Sequence, residues 1–308
     1  MNNYRKILYC VALCAAAWSN ASPAFAQQSE AKKAVDYDYL LPWDKKALRL
    51  PPTAEAQARE PFQIFDNLYY AGPQTASTYL IKTDQGLILI DPTYDWAAQM
   101  VLGNIRKLGV NPSDIKYILI THGHWDHTSG VYALQKATGA RVGMAAADWD
   151  IYETAQPAHP YPTIPRDLTY KDGDTLRLGN TTIHFYVTPG HTPGCLSMEY
   201  TVYDHGTPYE ALSLGGTGFN FPAEWTKPYI QSMQRMRTLP NVRVLLPDHP
   251  QINDVLELGD QLKTRAAGQP NPFVQSRQQV LDWFDAVIKA AQEKDRLETA
   301  AAAAAKGL

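Results

Sequence analysis

Cysteine is almost missing from this chain: three residues in 308, at positions 10, 14 and 195. The first two fall in a segment that reads as a leader, so the mature chain keeps Cys195 alone. It can form no internal disulfide, and stability must come from packing or from bound metal. Long apolar runs are missing too. The apolar run at 7–18 is shorter than the ~20 residues that a bilayer requires. It follows Arg5 and Lys6 and precedes Ala24-Phe25-Ala26, the layout of a secretory signal peptide cleaved after Ala26. Val11-Ala12-Leu13 before Cys14 matches a lipoprotein cleavage site poorly. The expectation is therefore a soluble periplasmic or secreted protein without a membrane anchor. Positive charge is not in excess either: removing Arg5 and Lys6 from 28 basic residues leaves 26 against 31 acidic ones, a net charge of −5. That balance offers nothing to nucleic acid. No internal repeat is visible, and 45% hydrophobic residues suffice for one sizeable core.

What is present is an alternation of short strands and helices. Residues 27–60 are rich in Ala, Pro, Lys and Glu and read as an arm docked through Trp43 and Leu40-Leu41. The domain proper spans 61–298, with 299–308 a frayed Ala-rich tail. Strands are expected over 62–70, 77–83, 87–91, 115–120 and 141–144, with helices over 96–108 and 146–155. The second half repeats the rhythm: strands over 175–178, 182–187, 196–203, 209–214 and 242–246, helices over 228–239 and 276–297. Sheets in the middle with helices outside are implied, an α/β class. The proline-rich stretch 156–166 reads as a loop, and a loop of that length beside a functional site often forms its wall.

The chemistry concentrates in Thr121-His122-Gly123-His124-Trp125-Asp126-His127-Thr128, directly after an apolar, β-branched strand. In an extended continuation of that strand His122, His124 and Asp126 recur every second residue and project to one side, with His127 at the turn. Thr128 or Ser129 then caps a helix that Gly139 ends. A lone histidine is ordinarily a hydrogen-bonded or solvated residue, and that reading is kept for His159, His184 and His205. Three imidazoles and a carboxylate within six residues are different, because burying them costs free energy unless something compensates. Two further histidines sit in rigid turns after strands: His191 between two Pro-Gly pairs in 188–194, and His249 in 245–250. Together they complete two sets of three, His122 with His124 and His191, and Asp126 with His127 and His249. Three protein ligands plus an open position is the catalytic zinc arrangement. Nitrogen and carboxylate donors also suit iron or manganese. Cys195 reads as a small buried residue.

These residues resemble the signature of the metallo-β-lactamase superfamily, H-x-H-x-D-H followed by a histidine in a T-P-G-H-T-x-G context. The resemblance implies an αββα four-layer sandwich with a pair of metal ions in the groove at the sheet edges. Lactonases and glyoxalase-type members carry an aspartate bridging the metals; here Gly216 stands at that place. His249 then fills the second site, which is similar to the true β-lactamases of subclass B3. Two departures stand out. Pro92-Thr93 follows Asp91 where that subclass has a glycine pair, and glycines dominate where serines receive the substrate carboxylate, leaving Ser213 or Thr217 as substitutes. The resemblance implies two zinc ions per chain and opening of a β-lactam ring by attack of zinc-activated water on the amide carbonyl, with Asp126 orienting that water. The alternatives are a hydrolase of a lactone, ester or phosphoester on the same fold, and a non-catalytic periplasmic zinc-binding protein.

Overall fold

The computed structural model describes residues 37–43, 49–154 and 160–306. The expected leader, its cleavage position, part of the arm and His159 lie outside the described residues. The first sheet has seven strands in chain order: β1 (Phe62–Phe65), β2 (Leu68–Tyr70), β3 (Tyr79–Thr83), β4 (Gly86–Ile90), β5 (Ile115–Leu119), β6 (Arg141–Ala145) and β7 (Leu168–Tyr170). Strands β1 to β4 pair antiparallel, and β4 to β7 pair parallel. The second sheet is ordered β12-β11-β10-β9-β8, from β8 (Thr175–Leu178), β9 (Thr181–Val187), β10 (Leu196–Asp204), β11 (Thr207–Leu214) and β12 (Val242–Pro247). Its pairs are antiparallel except β11 with β12.

Burial explains why the strands lie where they do. Phe62, Tyr70, Ile81, Ile88, Phe185, Met198, Tyr200 and Leu246 share the core between the sheets. The alternate residues Leu80, Leu89, Ile118 and Val142 face outward onto helices α1 (Ala98–Lys107), α3 (Val131–Thr138) and α4 (Ala146–Thr154). On the second sheet Leu212, Leu214 and Leu245 pack under α5 (Thr226–Arg237) and α7 (Arg277–Ala305). Strands covered on both faces read as continuous apolar runs, as β4 does. The result is four layers, helix, sheet, sheet, helix, in a mixed α/β chain. No helix among the described residues is long and apolar enough to cross a membrane.

Several expectations need correcting. The run 62–70 is two strands, because Asp66 and Asn67 turn the chain between β1 and β2. The strand before the histidine motif stops at Leu119, so Asp126 and His127 sit in the short helix α2 (Trp125–Thr128) rather than on an extended continuation. Thr128 and Ser129 do not cap the next helix: Gly130 precedes α3, Thr128 Oγ1 donates to the His124 carbonyl, and Ser129 Oγ accepts from Asp95 N. Gly139 ends α3 in the left-handed region, φ 71°, as expected. Where a frayed tail was expected over 299–308, α7 continues through the Ala-rich stretch to Ala305, as the highest helix propensity of any residue favours. Helix α6 (Val255–Lys263) and strand β7 had no expectation at all.

Candidate metal centre

Strands β4 and β5 of one sheet, and β9, β11 and β12 of the other, end along one edge of the sandwich, and each hands a short segment to the site. His122 and His124 follow β5, Asp126 and His127 open α2, His191 follows β9, and His249 follows β12. A backbone bond from Leu196 N to Thr121 O, 2.7 Å, ties the two edges together.

The six residues expected from sequence converge. His124 Nδ1 and His191 Nε2 lie 2.9 Å apart, and both stand with His122 in a set of donor atoms within 4.8 Å of one another. His127 Nε2 lies 3.3 Å from His249 Nε2 and 3.4 Å from Asp126 Oδ2, and the last two are 3.6 Å apart. His122 and His127 are fully buried, while Asp126 and His249 expose about a fifth of their side chains at the mouth.

The outer nitrogens are held by acceptors, and this sets which nitrogen faces inward. Thr121 Oγ1 donates to Asp91 Oδ2 (2.8 Å) and so accepts from His122 Nδ1 (3.1 Å). His127 Nδ1 donates to Asp91 Oδ2 (3.0 Å), His191 Nδ1 to Gly218 O (3.0 Å) and His249 Nδ1 to Thr75 O (2.6 Å). Four imidazoles therefore turn Nε2 toward the centre, and His124 turns Nδ1. The inward Nε2 of His122 is buried with no protein partner, an orphan that a cation would satisfy. The donor set, five imidazoles and one carboxylate without thiolate, fits zinc.

Electrostatics agree with that fit. Burial and the neighbouring histidines push His122 well below its ordinary value, burial also lowers His124, and His191 falls to about 3, so these rings are neutral donors at pH 7. Burial would lower His127 as well, but the carboxylates of Asp126 and Asp91 outweigh it and raise the ring well above the usual histidine range. Asp126 is lowered: burial opposes ionisation, and His127 and His249 overcome it.

Three supporting carboxylates had not been assigned a role from sequence. Asp91, 1% exposed, also accepts from Thr121 N (2.7 Å) and so orients His122 and His127 together. Asp148, on α4, accepts from Gly123 N (2.7 Å), Thr192 Oγ1 (2.6 Å) and Gly194 N (2.7 Å), riveting the loop of His122 and His124 to the loop of His191. Burial raises its carboxyl to about 6. Asp248 is buried beside His249. Its position after an apolar strand and before a turn histidine was the one available signal. The substrate contacts proposed for Ser213 and Thr217 do not hold. Ser213 is 1% exposed between the sheets with its hydroxyl paired to Tyr200 OH (2.9 Å), and Thr217 is fully buried with its hydroxyl donated to Asp248 (2.6 Å). His184 and His205 stay remote from the centre, on β9 and in the β10–β11 turn. Cys195 is fully buried against Thr192, as expected of a small packed residue.

The centre opens into a groove of about 220 Å³. Leu41, Trp43 and Ile252 form an apolar wall, with Asn220 and Gln251 at its polar side. Trp43 is fixed by stacking on Trp283 of α7, centroids 5.5 Å apart.

A family model described as the metallo-beta-lactamase superfamily matches residues 71–204. The structure superposes on BJP-1, a subclass B3 metallo-beta-lactamase of Bradyrhizobium japonicum, with TM-score 0.71 and 32% identity, covering 79% of this chain and 96% of that one. The chain belongs to the metallo-beta-lactamase superfamily. The FEZ-1 metallo-beta-lactamase from Legionella gormanii is similar at 27% identity and TM-score 0.68, covering 78% of this chain and 98% of that one. Among curated sequences, a hydroxyacylglutathione hydrolase of Cereibacter sphaeroides is 36% identical over 133 residues, 43% of this chain and about half (47%) of that protein. Membership and fold thus agree with the four-layer sandwich, and the neighbour BJP-1 is of subclass B3.

Proposed function

We propose that this chain is an exported dinuclear zinc hydrolase that opens β-lactam rings. The observation that carries the reading is the pair of donor triads side by side at the head of the groove, the second completed by His249. His122, His124 and His191 hold the first cation, and Asp126, His127 and His249 the second. A bound divalent cation supplies Lewis acidity toward a carbonyl oxygen and lowers the pKa of a nearby water. The remaining work falls to the protein. Asp126, ionised and partly exposed, accepts a hydrogen bond from the attacking water and aims it at the carbonyl carbon. Leu41, Trp43 and Ile252 hold the apolar face of the bicyclic substrate and displace water from that side. A storage role explains the groove poorly, since a closed site needs no opening for a substrate.

A thioester of glutathione is the second reading, favoured by the 36% identity to a hydroxyacylglutathione hydrolase. One side-by-side assay separates the two: zinc-loaded protein is offered a chromogenic cephalosporin, a carbapenem and a hydroxyacylglutathione thioester, together with a lactone. Preference for the β-lactams supports the proposal; turnover of the thioester with the cephalosporin left intact overturns it. Export is tested by N-terminal sequencing of protein from the periplasm or medium, where a start at Gln27 is expected and retention of Met1 would contradict it.

A further inference from the structure

Asp248 has a place in the centre that the six donors leave unexplained. Strand β12 runs parallel to β11 with Leu214 opposite Pro247, so Asp248 lies alongside the exit of β11. The β11 exit itself can carry no side chain at Gly216. Its φ is +67°, and a Cβ there would lie 2.4 Å from Cys195 Sγ and 2.6 Å from His191 Cβ. The Asp248 carboxylate occupies the space beside it. Oδ2 accepts from Gly216 N at 3.1 Å and lies 4.0 Å from His122 Nδ1, and Oδ1 accepts from Thr217 Oγ1 at 2.6 Å. A carboxylate oxygen of Asp248 and a nitrogen each of His127 and His249 lie within 4.8 Å of one another. The side chain is fully buried, beneath a cluster in which the inward nitrogen of His122 lacks a partner. An anion in such a place needs compensating charge.

We infer that Asp248 is a donor to the second cation, giving that position two imidazoles, His127 and His249, and two carboxylates, Asp126 and Asp248. The inference rests on the two-cation reading above. It predicts that the second equivalent depends on a residue rooted in the floor of the groove and not only on the mouth.

The test is zinc retention by purified full-length chain under competition from a chromophoric chelator, with zinc per chain counted. Asp248→Asn is expected to weaken the second equivalent by about tenfold or more while the first shifts by no more than about threefold. Thr217→Val removes a hydrogen bond to the same carboxylate without removing the carboxylate, and it is expected to retain both equivalents. Equal losses in the two variants, or none in Asp248→Asn, would overturn the inference, because a residue that only steadies the 215–218 turn behaves that way. If Asp248→Asn does not fold, a crystal structure of the zinc-loaded natural chain decides: an Asp248 oxygen about 2.0–2.2 Å from the second ion supports the inference, and one beyond about 3.5 Å sinks it. Two zinc ions bound with Asp248 remote would refute this inference alone; no zinc bound at all would refute the two-cation reading with it.

Discussion

Replacing Asp91 by asparagine probes the centre without touching any of the residues that face a cation. Asp91 sits at φ 57°, a left-handed conformation that asparagine tolerates, so the backbone need not move. The carboxylate is 1% exposed and accepts from Thr121 N, Thr121 Oγ1 and His127 Nδ1. An asparagine that keeps its oxygen on Thr121 N must present its NH₂ to the other two. His127 Nδ1 then has to accept, which moves the ring proton to Nε2, the nitrogen that faces the second position. Thr121 Oγ1 now accepts as well, so its own proton turns to His122 Nδ1 and reverses that ring too. Losing such an orienting partner typically costs 10–100-fold in metal affinity, about 1.4–2.8 kcal/mol per affected position. Both equivalents should weaken, and the apo fold should lose roughly 1–3 kcal/mol from the missing charge-assisted bonds. Zinc competition and urea unfolding in chelator measure the two terms. A folded Asp91→Asn protein that binds both equivalents within about twofold of the natural chain would refute the tautomer argument.

Three further outcomes follow from the same geometry. Gly216→Ala places a Cβ against Cys195 and His191, at 2.4 Å and 2.6 Å, in a backbone conformation that alanine disfavours; zinc counting should show the first equivalent weakened before the fold fails. Zinc uptake should release about one proton, since a cation at His127 Nε2 displaces the proton that Asp126 and Asp91 hold there. Affinity then climbs with pH until the raised His127 is itself neutral. The stability that this imidazolium gives the apo protein is full below the unfolded value near 6.5 and is lost as pH rises through the folded one; calorimetry in two buffers of different ionisation enthalpy checks the proton count. Finally, Lys294 is fully buried, with Nζ donating to Thr226 Oγ1 (2.8 Å), Glu298 (2.5 Å) and Phe221 O (3.3 Å). Lys294→Ala should cost about 3–5 kcal/mol in urea unfolding, as the loss of one partner from a buried pair does.

The parts of this molecule legible in the sequence are those with a local signature. His122, His124, Asp126 and His127 announce themselves by crowding, His191 and His249 by rigid turns after strands, and β4, β5 and β12 by apolar runs. What stayed hidden depends on contacts between distant segments. Asp148 matters because α4 brings it to Gly123 and Gly194, and nothing in an Ala-Ala-Asp-Trp run points there. Asp91 orients rings 31 and 36 residues away through Thr121 and directly. Ser213 and Thr217 were misread for the converse reason: near the right strand end, they point into the core and at Asp248 rather than into the groove. The β1–β2 split was missed because the alternation runs through Asp66-Asn67, and α6 because Gly259 interrupts its pattern where α6 packs against the Phe62 ring.

Ring opening of a chromogenic cephalosporin by the zinc-loaded chain, followed before and after chelation, is the most direct measurement. The account predicts turnover that chelator abolishes and zinc restores. A zinc-loaded chain at micromolar concentration that leaves the cephalosporin intact would contradict it.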